Sequence, residues 1–302
     1  MKRLLFFSGL LFLVAACDSN NNPFVYQKDA HGRGKATIYI EDAYRPLFTT
    51  AIETFMSQYP AATVVGKYDA ENNIVEAFFN GKAKTIVITR DFNDAEKKYL
   101  KNKNISYRSD KIASDAVAII MHPSMADSIL SVEQLKSLLT KNGATLPISK
   151  VAPQIVFDNQ GSANFNFLTS ILNIQKLATQ VSAVHSNEEV IQFVKTHPNA
   201  IGIIGVNWVS DQEDPDAMHF LDGLQVASIY LSDPESACKP YNGFIHTKEY
   251  PLIRDVWMIN KGRRSGLNTG FVLFMKKDDK GQLIIQKSEL APALTPVRLV
   301  LQ

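Results

Sequence analysis

Apolar residues recur along this chain at two periods. Runs such as Thr37-Ile38-Tyr39-Ile40 and Thr85-Ile86-Val87-Ile88 are nearly continuous, as in strands buried on both faces. Between them Leu47, Phe48, Ile52, Phe55 and Met56 repeat at helical spacing, as do Ile74, Val75, Phe78 and Phe79. The pattern predicts strands at 37–40, from Val64 and at 85–88, with helices over 46–59 and 72–80. Strand, helix, strand, helix, strand is the alternation of a doubly wound α/β unit.

The same reading continues through a charged surface helix over 94–101 and an apolar strand over 112–121 that His122-Pro123-Ser124 ends. Ser131 starts a helix with Val132, Leu135, Leu138 and Leu139 on one face. Further on come a helix over 187–196, a glycine-punctuated strand at 201–205, strands at 226–231 and 250–259, and a helix covering 269–275. The acidic loop 211–216 reads as solvated surface, and the tail 292–301 as extended chain.

One stretch near the middle carries candidate chemistry. Ile155-Val156-Phe157 is an apolar run, Asp158-Asn159-Gln160-Gly161 a polar turn, and Ser162 can cap a helix marked by Phe165, Leu168 and Leu172. Such a turn aims backbone N–H groups and the positive end of a helix dipole at one point, where a small anion can sit. An ordinary capped helix has the same pattern.

Composition narrows the frame. With 302 residues, 45% of them hydrophobic, the chain can bury one large core or two medium ones, and two lobes fit better. The start, Met1-Lys2-Arg3 followed by apolar residues to Ala16, has the order of a secretory signal and is too short to span a bilayer comfortably. It closes on Leu13-Val14-Ala15-Ala16-Cys17, which resembles a bacterial lipobox, so Cys17 is expected to be lipidated and the mature chain anchored rather than spanning. Residues 17–35 then form a polar tether. Cys238 remains as a single free thiol. The formal charge of +2 falls to zero when Lys2 and Arg3 leave with the signal, which offers no basic field for nucleic acid. The six histidines show no metal-ligand spacing, and Ser162 lacks the glycine flanks of a nucleophile elbow, so no metal, cofactor or enzymatic activity is expected.

In their order along the chain, several segments carry a family likeness: the strand and turn leading into Pro46-Leu47, Ile88-Thr89-Arg90 with Glu96, and residues 111–120. Gly161-Ser162-Ala163, residues 199–205, Tyr250-Pro251-Leu252 and Gly270-Phe271-Val272 continue it. Together they resemble the periplasmic phosphate-binding proteins of phosphate ABC transporters, within the type II periplasmic solute-binding fold. The resemblance implies two α/β lobes joined by two crossover strands, one near residues 114–119 and the other between Ala227 and Trp257. Lobe I takes residues 36–116 with 228–302, and lobe II takes 117–227. It also implies a monomer that captures a small oxyanion, phosphate above all, in the interlobe cleft and delivers it to a membrane permease from the cell envelope.

By the same resemblance, ligand contacts fall on three turns: Glu41, Asp42 and Ala43; Thr89 and Arg90; and Asp158, Gly161, Ser162, Ala163 and Asn164. Gly161 and Ser162 match the family. Asp158 stands where it has an arginine, Ala163 where it has a second glycine, and Asn164 where it has threonine. Several carboxylates with the arginine lost would repel a dianion in a low-dielectric site by several kcal/mol. Arg90, Arg45 and Arg254 are the side chains able to compensate. The acidic residues therefore leave a second reading open, the same fold with another ligand or with a sensor or surface-binding role.

Overall fold

The structure is a computed structural model that describes residues 29–209 and 222–294. Leader, Cys17, the first part of the tether, the acidic loop at 211–216 and the end of the tail lie outside the described residues.

The continuous apolar runs become the buried strands of one curled sheet. Strand β1 (Gly34–Glu41) leads through a 3₁₀ turn at Asp42–Tyr44 into α1 (Arg45–Gln58), where Pro46 sits in the first turn and needs no hydrogen-bond partner. Then follow β2 (Ala62–Asp69), α2 (Glu71–Phe79), β3 (Thr85–Ile88) and α3 (Asp94–Asn102), the last opened by a capping box between Asn93 and Glu96. β1 pairs in parallel with both β2 and β3.

Strand β4 (Arg108–Met121) is longer than its apolar run suggested, because residues 108–111 are half-exposed and continue the pairing beyond the core. β5 (Ile129–Ser131), α4 (Val132–Thr140), β6 (Gln154–Phe157), α5 (Ala163–Ile171), β7 (Val181–Ala183), α6 (Asn187–Thr196) and β8 (Ala200–Gly205) build the second α/β unit. There β6 pairs in parallel with β7 and β8. The strand expected over 226–231 is divided at Ala227: β9 (Gln225–Val226) joins β4, whereas β10 (Ser228–Tyr230) pairs with β5 in a separate two-stranded sheet. After α7 (Asn242–Thr247), β11 (Ile253–Asn260) returns to the main sheet, and α8 (Leu267–Lys277), α9 (Asp279–Lys287) and β12 (Ala291–Pro292) complete the chain.

The main path runs β2-β1-β3-β11-β4-β8-β6-β7. Its centre explains the two lobes. β4 pairs with β11 through Ala116 and with β8 from Val117 onward, so a single strand belongs to both units, and β11 runs antiparallel beside it. This is the expected α/β fold of two doubly wound lobes joined by crossover strands. The C-terminal ends of β1, β3, β6 and β8 all open toward the seam, which is where ligands bind in open α/β sheets.

Two expectations change. Residues 29–34, counted with the tether because they are polar, are packed: Ala30 bridges Arg33, and Asp29 accepts the N–H of Leu267 at the start of α8. Tyr250-Pro251-Leu252 precedes β11 rather than belonging to it, and the Tyr250 hydroxyl donates to Val117 O at 2.8 Å. Cys238 is free and buried, as its solitary position suggested. No described helix is long and apolar enough to cross a membrane.

Candidate ligand-binding site

β1 ends on Glu41, whose side chain turns back over the 3₁₀ turn that follows. Its carboxylate accepts the Ala43 N–H at 2.5 Å on Oε2 and the Ala163 N–H at 3.0 Å on Oε1. Ala43 lies in the first lobe and Ala163 is the first residue of α5 in the second. The two backbone donors expected to meet an anion thus converge on one point, and a carboxylate of the chain itself fills it. Glu41 has no exposed surface. Burial first, then the neighbouring charge of Asp158, push its pKa well above the ordinary carboxylate range.

Asp158, at the end of β6, supports the turn instead of facing solvent. It accepts the Ser162 hydroxyl at 2.6 Å and the side-chain amides of Asn164 and Asn187, each at 3.0 Å. Burial raises its pKa to about 6 despite these bonds. Ser162 Oγ also accepts the Phe165 N–H at 3.2 Å and so caps α5. Gly161 reaches φ +92°, and a Cβ there would stand 2.8 Å from Asn72 Nδ2. Lack of a side chain lets the turn close on the opposite lobe.

The remaining contacts divide by side. Asp42 pairs with Arg45 at the surface and leaves the cleft to its neighbours. Thr89 donates its N–H at 2.9 Å and its hydroxyl at 2.5 Å to the buried carboxylate of Glu71. Arg90 is held by Glu96 at 2.7 Å and faces Glu71 at 3.3 Å. The second turn, like the first, therefore has its donors satisfied by a carboxylate of the chain. Glu71, at the start of α2, escaped sequence reasoning because an acidic residue in a first helical turn is an ordinary cap signal.

Arg254 on β11 is the buried cation of the seam. Its Nε donates to Asp115 Oδ2 at 2.7 Å, and its guanidinium lies 5.8 Å from the centre of the Tyr44 ring. Nη1 and Nη2 have no hydrogen-bond partner among the described residues; nor do Asp115 Oδ1, the Tyr44 hydroxyl and Asn207 Oδ1. A side chain at Gly205 would meet Ala43 Cβ at 3.1 Å and Arg254 Nη2 at 3.5 Å, which locates the free edge of the guanidinium beside the Glu41 turn. Asp115 gave no sequence signal beyond its place in an apolar strand.

Several hydrogen bonds link the turns of the two lobes across the seam. Besides Ala163 to Glu41, Asn207 Nδ2 donates to Ala43 O at 2.7 Å, Asn72 N to Gly161 O at 3.2 Å and Asn166 Nδ2 to Asn72 Oδ1 at 3.0 Å. Beside them an open cleft of about 550 Å³ remains between Glu71, Asn72, Thr89 and Arg90 on one side and Asn166 and Phe167 on the other. Around Glu41, by contrast, the seam is shut off from solvent, with the unsatisfied arginine edge beside it.

Comparison with known proteins agrees with this architecture. The chain is 23% identical over 293 residues to the phosphate-binding protein PstS of Staphylococcus haemolyticus, covering 91% of this chain and 86% of that one. Among solved structures it resembles a candidate phosphate ABC transporter substrate-binding protein with bound phosphate from Clostridium perfringens. The TM-score is 0.72 at 17% identity, over 86% of this chain and all of that one. An ABC-type phosphate transport receptor from Vibrio cholerae gives a TM-score of 0.64 at 16% identity, again over 86% of this chain and all of that one. Residues 27–279 match the family model of a PBP superfamily domain, and the chain belongs to that superfamily of solute-binding, non-enzymatic proteins.

Proposed function

We propose that this protein is the solute-binding component of an ABC uptake system of phosphate-binding type, working as a monomer that captures a small oxyanion between its lobes and delivers it to a permease. The observation that carries the reading is the convergence of the Ala43 and Ala163 N–H groups, one from each lobe, on a single pair of carboxylate oxygens. Donors arranged that way suit an oxyanion and give it a reason to close the cleft. The likeness to phosphate-binding relatives supports phosphate as that anion. In this reading residues 36–116 with 228–302 move as one lobe and 117–227 as the other, Cys17 carries a lipid anchor, and Glu41, Asp42, Ala43, Thr89, Arg90, Asp158, Gly161, Ser162, Ala163 and Asn164 surround the solute.

Calorimetry of the soluble mature domain against phosphate, sulfate, amino acids and polyamines tests the assignment. Phosphate heat with saturation is expected; no heat and no thermal shift at millimolar phosphate overturns it. Cys17→Ser is expected to move the full chain from the membrane to the soluble fraction, and retention in the membrane fraction overturns the anchor.

A second reading keeps the fold but changes the solute or makes the protein a sensor. It is favoured by the occupation of both donor turns by Glu41 and Glu71. Heat with an amino acid or polyamine and none with phosphate selects it.

A further inference from the structure

A buried carboxylate at the meeting point of two lobes is an expensive way to satisfy two backbone N–H groups. Glu41 is fully buried, faces Asp158, and holds only one N–H on each oxygen. The guanidinium able to neutralise it spends its Nε on Asp115, while its two Nη groups make no hydrogen bond among the described residues. The side chain of Arg254 is 1% exposed, so those N–H groups have no bulk water to turn to. Buried donors left unmade cost more than the bonds they replace would contribute.

We propose that Glu41 is an internal ligand that keeps the cleft closed without solute, and that Arg254 is the anchoring residue for the oxyanion that displaces it. A tetrahedral oxyanion has more oxygens than the tethered carboxylate. It takes over the N–H groups of Ala43 and Ala163 and at the same time meets the Nη1–Nη2 edge, a fork that suits two oxygens of one anion. Asp115 Oδ1 and Asn207 Oδ1, both unpartnered, accept from a protonated oxygen of that anion. The exchange rests on the oxyanion-binding reading above; the internal-ligand role does not, because it rests on the bonds of Glu41 to Ala43 and Ala163 alone.

The test uses inorganic phosphate and acetate, the latter being the free equivalent of the Glu41 side-chain end. In Glu41→Ala, small-angle scattering without added anion is expected to show an opened cleft, and acetate is expected to bind and close it, with no acetate binding to the native protein. Phosphate affinity in Glu41→Ala is expected to rise at least about tenfold over native. Adding Arg254→Gln, which keeps a donor toward Asp115, is expected to remove that gain; a thermal melt of the double variant verifies folding. A Glu41→Ala protein that stays closed and binds acetate no better than native overturns the internal ligand. A phosphate gain that survives Arg254→Gln in a folded protein overturns the anchor. Acetate binding without phosphate binding supports Glu41 as internal ligand and overturns the phosphate assignment alone.

Discussion

The Ala163 N–H donates to Glu41 Oε1 at 3.0 Å across 122 residues of sequence, joining the end of β1 in one lobe to the start of α5 in the other. Because a carboxylate makes that bond, its protonation and the stability of the closed chain are linked. Burial and then Asp158 raise the Glu41 pKa well above 4.5, and burial raises Asp158 from 3.8 to about 6. Arg254 faces both carboxylates and Tyr44 faces Glu41, while Asp115 stands behind them against Arg254 and Tyr44.

The sign follows. Between the unfolded and folded pKa values the folded chain holds protons that the unfolded chain has released, so the contribution of Asp158 is full at low pH and is lost as pH rises through about 6, and that of Glu41 falls in the same direction with rising pH. For Asp158 alone the span corresponds to roughly 3 kcal/mol. Asp158→Asn is expected to flatten the dependence, raising the melting temperature at pH 7.5 relative to native more than at pH 4.5. Equal shifts at both values would show that Asp158 does not titrate in this window.

Arg254 and Asp115 form the buried ion pair of the seam, with both side chains at 1% exposure or less. Removing one partner leaves the other charge uncompensated. Asp115→Ala is expected to cost about 3–5 kcal/mol in urea unfolding, whereas the double change Asp115→Leu with Arg254→Met costs much less than the sum of the single changes. Additive losses in that cycle would mean that the two charges are not coupled.

Periodicity was enough for most elements. The helix over 187–196 and the strand over 85–88 lie where their apolar spacing puts them, and Ser162 caps α5 as its place before Phe165 suggested. Such features depend on neighbours within a few residues. The content of the site depends on contacts between segments far apart, and there sequence reasoning stopped short. Glu41 was legible as an acidic residue in a ligand turn, but its role as the acceptor for that turn needs Ala163, which only folding brings near. Arg254 was one of three arginines able to compensate; Arg45 went to Asp42 and Arg90 to Glu96, and neither pairing has a signal beyond charge. The split at Ala227 was hidden because both short strands share one apolar run and differ only in partner.

Glu71 is expected to matter more than a surface acid at a helix start. Its carboxylate, in a residue 1% exposed, holds two donors of Thr89 and faces Arg90. Glu71→Ala leaves the Thr89 N–H without its acceptor and is expected to cost about 1–3 kcal/mol by chemical denaturation. Thr89→Val removes the hydroxyl only and is expected to cost about 1 kcal/mol. A loss in Glu71→Ala no larger than in Thr89→Val would show that the N–H finds another acceptor.

Gly161 carries both a backbone and a contact requirement, and a second glycine separates them. At φ +92° an alanine is strained, and its Cβ would approach Asn72 Nδ2 to 2.8 Å, a group whose partner oxygen receives Asn166. Gly143 also has positive φ, +70°, but a Cβ there meets nothing within 4 Å. Gly143→Ala therefore reports conformational strain alone, about 1 kcal/mol. Gly161→Ala adds displacement of Asn72 from the interlobe seam, and its expected loss is about 2–3 kcal/mol. Because the added part belongs to contacts between lobes, it is expected to appear also as a larger radius of gyration, which Gly143→Ala leaves unchanged. Equal losses with an unchanged radius would mean that Asn72 moves aside freely and that the Gly161 turn does not help hold the cleft shut.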